Sequence, residues 1–263
     1  DAIVGLEHHD PTDVIVVISK PPAKEVRDEV VALLQKCTKP VVAIFLGEKP
    51  ENHEGKVYLA HTLEETARMA VDLANGDPIK DNYCDPIDYE VSRPLAADKT
   101  VKGLYSGGSL AAEAGMLIAE ALNLGGLIKE EGYILKTGGY EVVDLGDDVY
   151  TQGKPHPMID PEVRIKKILE CAKDPQTGVI LLDCMLGYGC HPDMAGALAP
   201  AIREAQKIAK ADGRELYFVA SVCGTRQDPQ DYDRAVAELK ECGVLVEESN
   251  ARAIRLALKL KGI

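Results

Sequence analysis

The residues of this 263-residue chain that could do chemistry collect at glycine turns that close apolar runs. The fullest is Asp183-Cys184-Met185-Leu186-Gly187-Tyr188-Gly189-Cys190-His191-Pro192-Asp193, which follows Gly178-Val179-Ile180-Leu181-Leu182 and opens into a helical pattern near Pro192. In parallel α/β sheets, ligands bind beyond the carboxyl ends of strands, where glycines let the backbone approach and helix N-termini offer unpaired N–H groups. Gly187, Tyr188 and Gly189 are therefore candidate binding positions. Asp183 is a candidate proton acceptor, and His191 with Asp193 could orient one another or a substrate. The competing reading of Asp183 is a carboxylate hydrogen-bonded to loop N–H groups.

A second turn, Ser106-Gly107-Gly108-Ser109, presents N–H groups and hydroxyls at a predicted helix start, where the dipole favours a phosphate or carboxylate. Ser109 could instead serve only as an N-cap. A third, Gly224-Thr225-Arg226, adds a guanidinium able to grip an anion or to sit in a surface ion pair. His156, between Pro155 and Pro157, is held in a restricted backbone with Lys154 near enough to share an anionic ligand. These three glycine turns and the His156 loop meet only if the strands before them share one sheet edge. Cys184, Cys190 and Cys223 fall on the same rim, although cysteine is more often a small buried residue than a nucleophile.

Composition narrows the function classes. The chain carries 30 basic against 43 acidic residues, a formal net charge of -13, and has no basic patch, which argues against nucleic acid. The longest uncharged apolar run, residues 41–46, is far short of the roughly 20 residues a membrane helix needs. Seven cysteines without a C-x-x-C pair suggest neither a disulfide framework nor a metal site, and a reducing cytoplasm fits them best. No G-x-x-x-x-G-K-[ST] loop occurs, so ATP binding by this chain is not supported.

The elements that must position these residues alternate strand with helix. Apolar runs at 14–18 and 41–46 read as strands buried on both faces, joined by a helix over 23–36, with Ser19-Lys20-Pro21-Pro22 ending the first. A short strand at 56–59 precedes a helix opened by a capping box, Thr62 with Glu65. Residues 77–100 read as a linker between a partial first domain, 1–76, and a second, 101–263. Five strands are expected in the second, near 101–105, 140–145, 178–182, 216–222 and 243–246, alternating with helices in a doubly wound, flavodoxin-like α/β sheet. An internal repeat links the blocks: Asp10-Pro11-Thr12 before the first strand resembles Asp174-Pro175-Gln176-Thr177 before Val179. The first block thus reads as an incomplete copy of the second.

That repeat, with Tyr105-Ser106-Gly107-Gly108-Ser109-Leu110, Asp144-Leu145-Gly146-Asp147-Asp148, His156-Pro157-Met158-Ile159-Asp160-Pro161 and Leu182-Asp183-Cys184-Met185-Leu186-Gly187-Tyr188-Gly189, resembles the FdrA family of acyl-CoA synthetase-like proteins, relatives of the succinyl-CoA synthetase α and β subunits. The resemblance covers essentially the whole chain. It implies two flavodoxin-like domains of CoA-ligase type, with roughly an N-terminal third of the family pattern lying outside this sequence. It also implies CoA or a phosphorylated or carbamoyl substrate as ligand, companion protein subunits, and an oligomer. The expected role is a subunit of an acyl or carbamoyl transfer enzyme of the oxamate carbamoyltransferase type, in anaerobic allantoin breakdown. The alternatives are an ADP-forming acyl-CoA ligase, or a non-catalytic assembly subunit. For the ligase, the family's phosphohistidine falls nearest His61, which lacks the family's glycine-histidine-alanine-glycine context.

Overall fold

The computed structural model describes every residue except 21, 51, 126, 127 and 129. Pro21, read above as part of the stop after the first strand, lies outside the described residues. The chain forms two compact units, Asp1–Pro86 and Ile87–Ile263, which divide the segment 77–100 between them.

The first unit runs α1 (Ala2–Glu7), β1 (Ile15–Ser19), α2 (Lys24–Leu34), β2 (Val41–Phe45), β3 (Val57–Leu59) and α3 (Leu63–Asn75). Its three strands are parallel in the order β1-β2-β3. β2 is the central strand and is buried at every residue, as its unbroken apolar run requires. β1 differs from expectation: Val16 is 40% and Ile18 56% exposed, because β1 lies at the sheet edge and pairs with β2 alone among the described strands. α3 is bounded as the sequence predicts. Thr62 accepts from the Glu65 N–H, Glu65 reaches back to the N–H of His61, and Gly76 ends the helix in the left-handed region.

The second unit contains β4 (Thr100–Tyr105), α4 (Gly108–Ala121), β5 (Tyr133–Thr137), β6 (Tyr140–Asp144), α5 (Asp148–Thr151), α6 (Glu162–Lys173), β7 (Thr177–Met185), α7 (Met194–Ala211), β8 (Tyr217–Cys223), α8 (Tyr232–Glu241), β9 (Val244–Glu247) and α9 (Asn250–Lys261). The sheet order is β5-β6-β4-β7-β8-β9. All neighbours are parallel except the hairpin of β5 with β6. With β5 set aside, the order is the flavodoxin order 2-1-3-4-5, and the strand order reverses between β4 and β7. β5 is absent from the sequence reading. Its signal was the Gly138-Gly139 pair, whose φ values of +55° and +83° suit the two-residue turn that right-twisted hairpins favour.

Helices cover both faces of this sheet. α4 and α9 pack with Val101, Tyr105, Val179, Leu181 and Val219. On the other face α6, α7 and α8 pack with Leu104, Ile180, Leu182, Phe218 and Ala220. Alternate residues of β7 thus feed two different cores, as a doubly covered strand must.

The two units repeat one plan, with a one-residue adjustment to the sequence reading. Ile15, Val41 and Val57 pair across the first sheet as Ile180, Phe218 and Val244 do across the second. Ile15 shares its core with α2, just as Ile180 shares one with α7. Aligning Asp10 with Asp174 would set Ile15 against Val179, which faces the opposite core; a one-residue slip flips every side chain, so Ile180 is the true counterpart. Thr62 and Ser249 then correspond as side-chain caps of α3 and α9.

Candidate functional site

Every glycine turn singled out above lies at the carboxyl edge of the second sheet, at strand ends that parallel pairing places side by side. The centre is the break in strand order between β4 and β7. There Asp183, wholly buried, reaches across from β7 to the turn leaving β4. Its carboxylate accepts from the backbone N–H of Ser106 (2.9 Å), the Ser106 hydroxyl (3.0 Å) and the N–H of Gly107 (3.0 Å).

The carboxylate's charge is met by Arg164 of α6, also 0% exposed, whose Nη2 lies 2.9 Å from Asp183 Oδ1 and donates to the Asp183 carbonyl as well. Arg164 Nε and Nη1 have no hydrogen-bond partner among the described residues. The sequence reading missed Arg164. The available signal was its place on the apolar stripe of α6, in step with Ile168, Cys171 and Ala172. Asp183 is therefore not an exposed proton acceptor. Its side chain is enclosed in the sheet, and it takes the N–H groups of Ser106 and Gly107 that the sequence offered to a ligand.

What remains open is the first turn of α4. Its N-cap is Gly107, and no side chain caps it, whereas α7, α8 and α9 are capped by Asp193, Asp231 and Ser249. The N–H groups of Gly108, Ser109 and Leu110 therefore have no intrahelical acceptor. All three residues are half-buried. Ser109 lies inside the helix, so its reading as the cap is replaced by Gly107.

Two loops wall this turn. A Cβ on Gly146 would lie 2.5 Å from His156 Nε2 and 2.9 Å from the Ser106 carbonyl, which places the His156 imidazole beside the Ser106 turn. The Met158 N–H donates to His156 Nδ1, fixing the ring. The Met158 methyl faces Gly107, and its carbonyl accepts from the His191 N–H at 2.7 Å. Lys154 is exposed.

The loop 186–193 is held from the segment between β8 and α8. Gln230 accepts from the Gly187 N–H and donates to the carbonyls of Gly187 and His191. Gly187 has φ +125°, which a side chain would strain, and Tyr188 stands 92% exposed beyond it. Asp193 caps α7 at the Gly196 N–H and pairs with Arg234. His191 Nδ1 accepts from the Asp193 N–H, so these two contact through the backbone.

Arg226 takes the alternative raised by the sequence. It forms a bidentate pair with Asp233, both groups well exposed. The Thr225 N–H donates to the Asp228 carboxylate, and a Cβ on Gly224 would press against the Leu186 side chain. The Cys184 thiol is pushed up to about 12 by burial, which keeps it protonated at neutral pH. Burial likewise raises Cys190 and Cys223, and all seven cysteines are free thiols. Among the described residues no helix is long and apolar enough to cross a membrane.

The arrangement can hold a small oxyanion or carbonyl oxygen against the α4 turn, with an imidazole alongside. Comparison with known proteins bears on what that oxygen belongs to. A family model described as CoA-ligase matches residues 104–260, which takes in all of these turns. "Uncharacterized protein YahF" of Escherichia coli (strain K12) is 36% identical over 274 aligned residues, covering 98% of this chain and 52% of that protein. The chain thus spans about half the length of the curated relative it matches. Among solved structures, the E. coli RcsC C-terminus, containing a linker region and phosphoreceiver domain, aligns with 96% of this chain and 78% of its own at 10% identity. Its TM-score of 0.30 carries no structural argument.

Proposed function

The chain belongs to the CoA-ligase family, and from that premise we propose that it binds a small anionic acyl or carbamoyl substrate at the first turn of α4, as an FdrA-type subunit of an acyl or carbamoyl transfer enzyme. The observation that carries this reading is the uncapped α4 turn at the break in strand order, with His156 beside it. Backbone N–H groups of Gly108 and Ser109 would stabilise the negative charge that develops on a carbonyl oxygen under attack, a contribution that one such donor makes at about 10²–10³ in rate. His156 is placed to exchange a proton with the attacking or leaving group. In the oxamate carbamoyltransferase form of the reaction, a phosphate oxygen bonds to the carbamoyl carbon of oxalurate, the bond from that carbon to the oxamate nitrogen breaks, and the nitrogen takes a proton. Companion subunits supply the remainder of the machinery, in a cytoplasmic setting.

The test is a titration of the ¹⁵N-labelled chain with oxamate and with inorganic phosphate, comparing wild type with Gly108→Pro. Proline is tolerated at the first helical position, and Gly107 already has the extended backbone it requires (φ −118°, ψ 117°), so this change deletes one N–H donor without breaking α4. Amide shifts at Ser109 and Leu110 are expected, with affinity falling about tenfold in the variant, in line with the roughly 1.5–3 kcal/mol of a charge-assisted hydrogen bond. Saturating ligand that moves no resonance of the α4 turn overturns the reading.

One observation favours the ADP-forming ligase as a second reading. His61 Nδ1 lies 2.9 Å from the Glu48 carbonyl, so that nitrogen donates and the imidazole nearest the family's phosphohistidine position is held in one orientation. Labelled ATP that leaves no acid-labile label on His61 removes it.

A further inference from the structure

The first unit holds a cleft of its own, apart from the glycine turns of the second sheet. It lies beside β3, the last strand in the order β1-β2-β3, and has a volume of about 510 Å³, within the ~300–1,000 Å³ usual for small-molecule sites. Three segments line it: the loop at His53 together with β3, α3 at Glu65 and Met69, and residues 79–81.

Its polar groups are fixed from behind. The Leu59 N–H donates to His53 Nδ1 at 3.0 Å, so the neutral imidazole carries its proton on Nε2. Tyr58 meets the same ring edge to face at 5.1 Å. An exposed histidine is thereby held as an oriented donor. Residues 79–81 are fastened to α3 through Tyr83, 4% exposed, whose hydroxyl donates to Asp72 (2.8 Å) and accepts from the Lys80 N–H (3.0 Å), while Arg68 donates to its carbonyl (3.2 Å). The Lys80 ammonium is only loosely held, 3.7 Å from the Asp72 carboxylate.

The cleft carries both signs of charge over an apolar floor. Lys80 and His53 Nε2 are donors. Glu65 gives Oε2 to the His61 N–H at 2.6 Å, which leaves Oε1, and Asp81 stands exposed at the rim. Leu59 and Met69, buried at 5% and 3% exposure, form the base.

We propose that this cleft binds a free α-amino acid with an aromatic side chain. Its carboxylate takes the donors of His53 and Lys80, its ammonium takes the carboxylates of Glu65 and Asp81, and its ring lies on Leu59 and the Met69 thioether, a favourable partner for an aromatic edge. A simple anion would meet two opposing carboxylates, and a simple cation would meet Lys80, so a zwitterion suits the lining best. The inference concerns the first unit, is independent of the α4 site and involves no phosphorylation of His61.

The experiment is a titration of the intact ¹⁵N-labelled chain with L-phenylalanine, 3-phenylpropionate, which lacks the ammonium, and 2-phenylethylamine, which lacks the carboxylate. L-phenylalanine is expected to move the amides of Leu59, Met69 and Asp81 and to bind about tenfold or more tighter than either analogue, as the loss of a charge-assisted hydrogen bond requires. Lys80→Met and Asp81→Asn, both at exposed positions, should each weaken L-phenylalanine by a similar factor while the amides of β2 keep their wild-type positions. If Lys80→Met disturbs β2, His53→Gln reads the same carboxylate contact. Three results each overturn the proposal: no movement of these amides up to the solubility limit of L-phenylalanine, an analogue that binds as tightly as the amino acid, or affinity unchanged in the folded variants.

Discussion

Ser106 gives both its backbone N–H and its hydroxyl to the carboxylate of Asp183, 77 positions further along the chain. The turn that leaves β4 is therefore shaped by a side chain of β7, and the two strands are locked together at the end where the sheet order reverses. Asp183→Asn removes the charge that Arg164 needs inside a dry core, and replaces an acceptor by an amide N–H facing other donors. A loss of about 3–5 kcal/mol is expected by urea denaturation, the usual cost of breaking a buried pair. Ser106→Ala, which forfeits one hydroxyl, should cost about 1.5 kcal/mol.

Arg164 and Asp183 should behave as a unit. Arg164→Met retains much of the volume and leaves the carboxylate with backbone donors only, so it too should destabilise. The double variant with Asp183→Asn should lose less than the sum of the two, with a coupling of about 1–3 kcal/mol. Strict additivity in a denaturation cycle would show that the pair does not interact.

Gly146 tests where His156 sits. A methyl there would press on both His156 Nε2 and the Ser106 carbonyl, and the backbone oxygen has little room to yield. Gly146→Ala should cost about 1–3 kcal/mol by overpacking and displace the imidazole, weakening oxamate binding. Arg226→Ala supplies the contrast: its guanidinium is committed to Asp233 on the surface, so both Tm and oxamate affinity should stay at wild-type values.

Cys184 predicts an alkaline limit. Its thiol is raised by burial from an ordinary value of 9.0 to about 12, so the folded state holds the proton more tightly than the unfolded chain does. A group raised in this way contributes stability that is complete below pH 9 and is lost as pH climbs toward about 12. Tm should fall across that window, and Cys184→Ala should flatten part of the fall. Iodoacetamide at pH 8 should label exposed Cys84 well before Cys184.

The sequence made the frame legible because apolar runs and glycine stops are local. β2 and the bounds of α3 follow from Val41-Val42-Ala43-Ile44-Phe45 and from Thr62, Glu65 and Gly76. What it hid was long-range. Whether β1 has a neighbour on each side depends on other strands, so a β-branched run could not reveal its exposed face. Arg164, which nothing in the sequence singled out, lies 19 positions from Asp183, which read as a site acid until the fold buried both. The Ser106–Ser109 turn was visible as a helix start, but not that Asp183 already occupies half of it. Asp193 and Arg226 carry charges that suit a ligand, and only Arg234 and Asp233 beside them disclose local employment.

Gln230 binds the loop of Gly187 and His191 from three directions, so that loop is already in place before any ligand arrives. Nothing there has to be ordered during capture. The encounter should then be a single bimolecular step, with an observed rate that climbs linearly with ligand concentration and reaches no plateau.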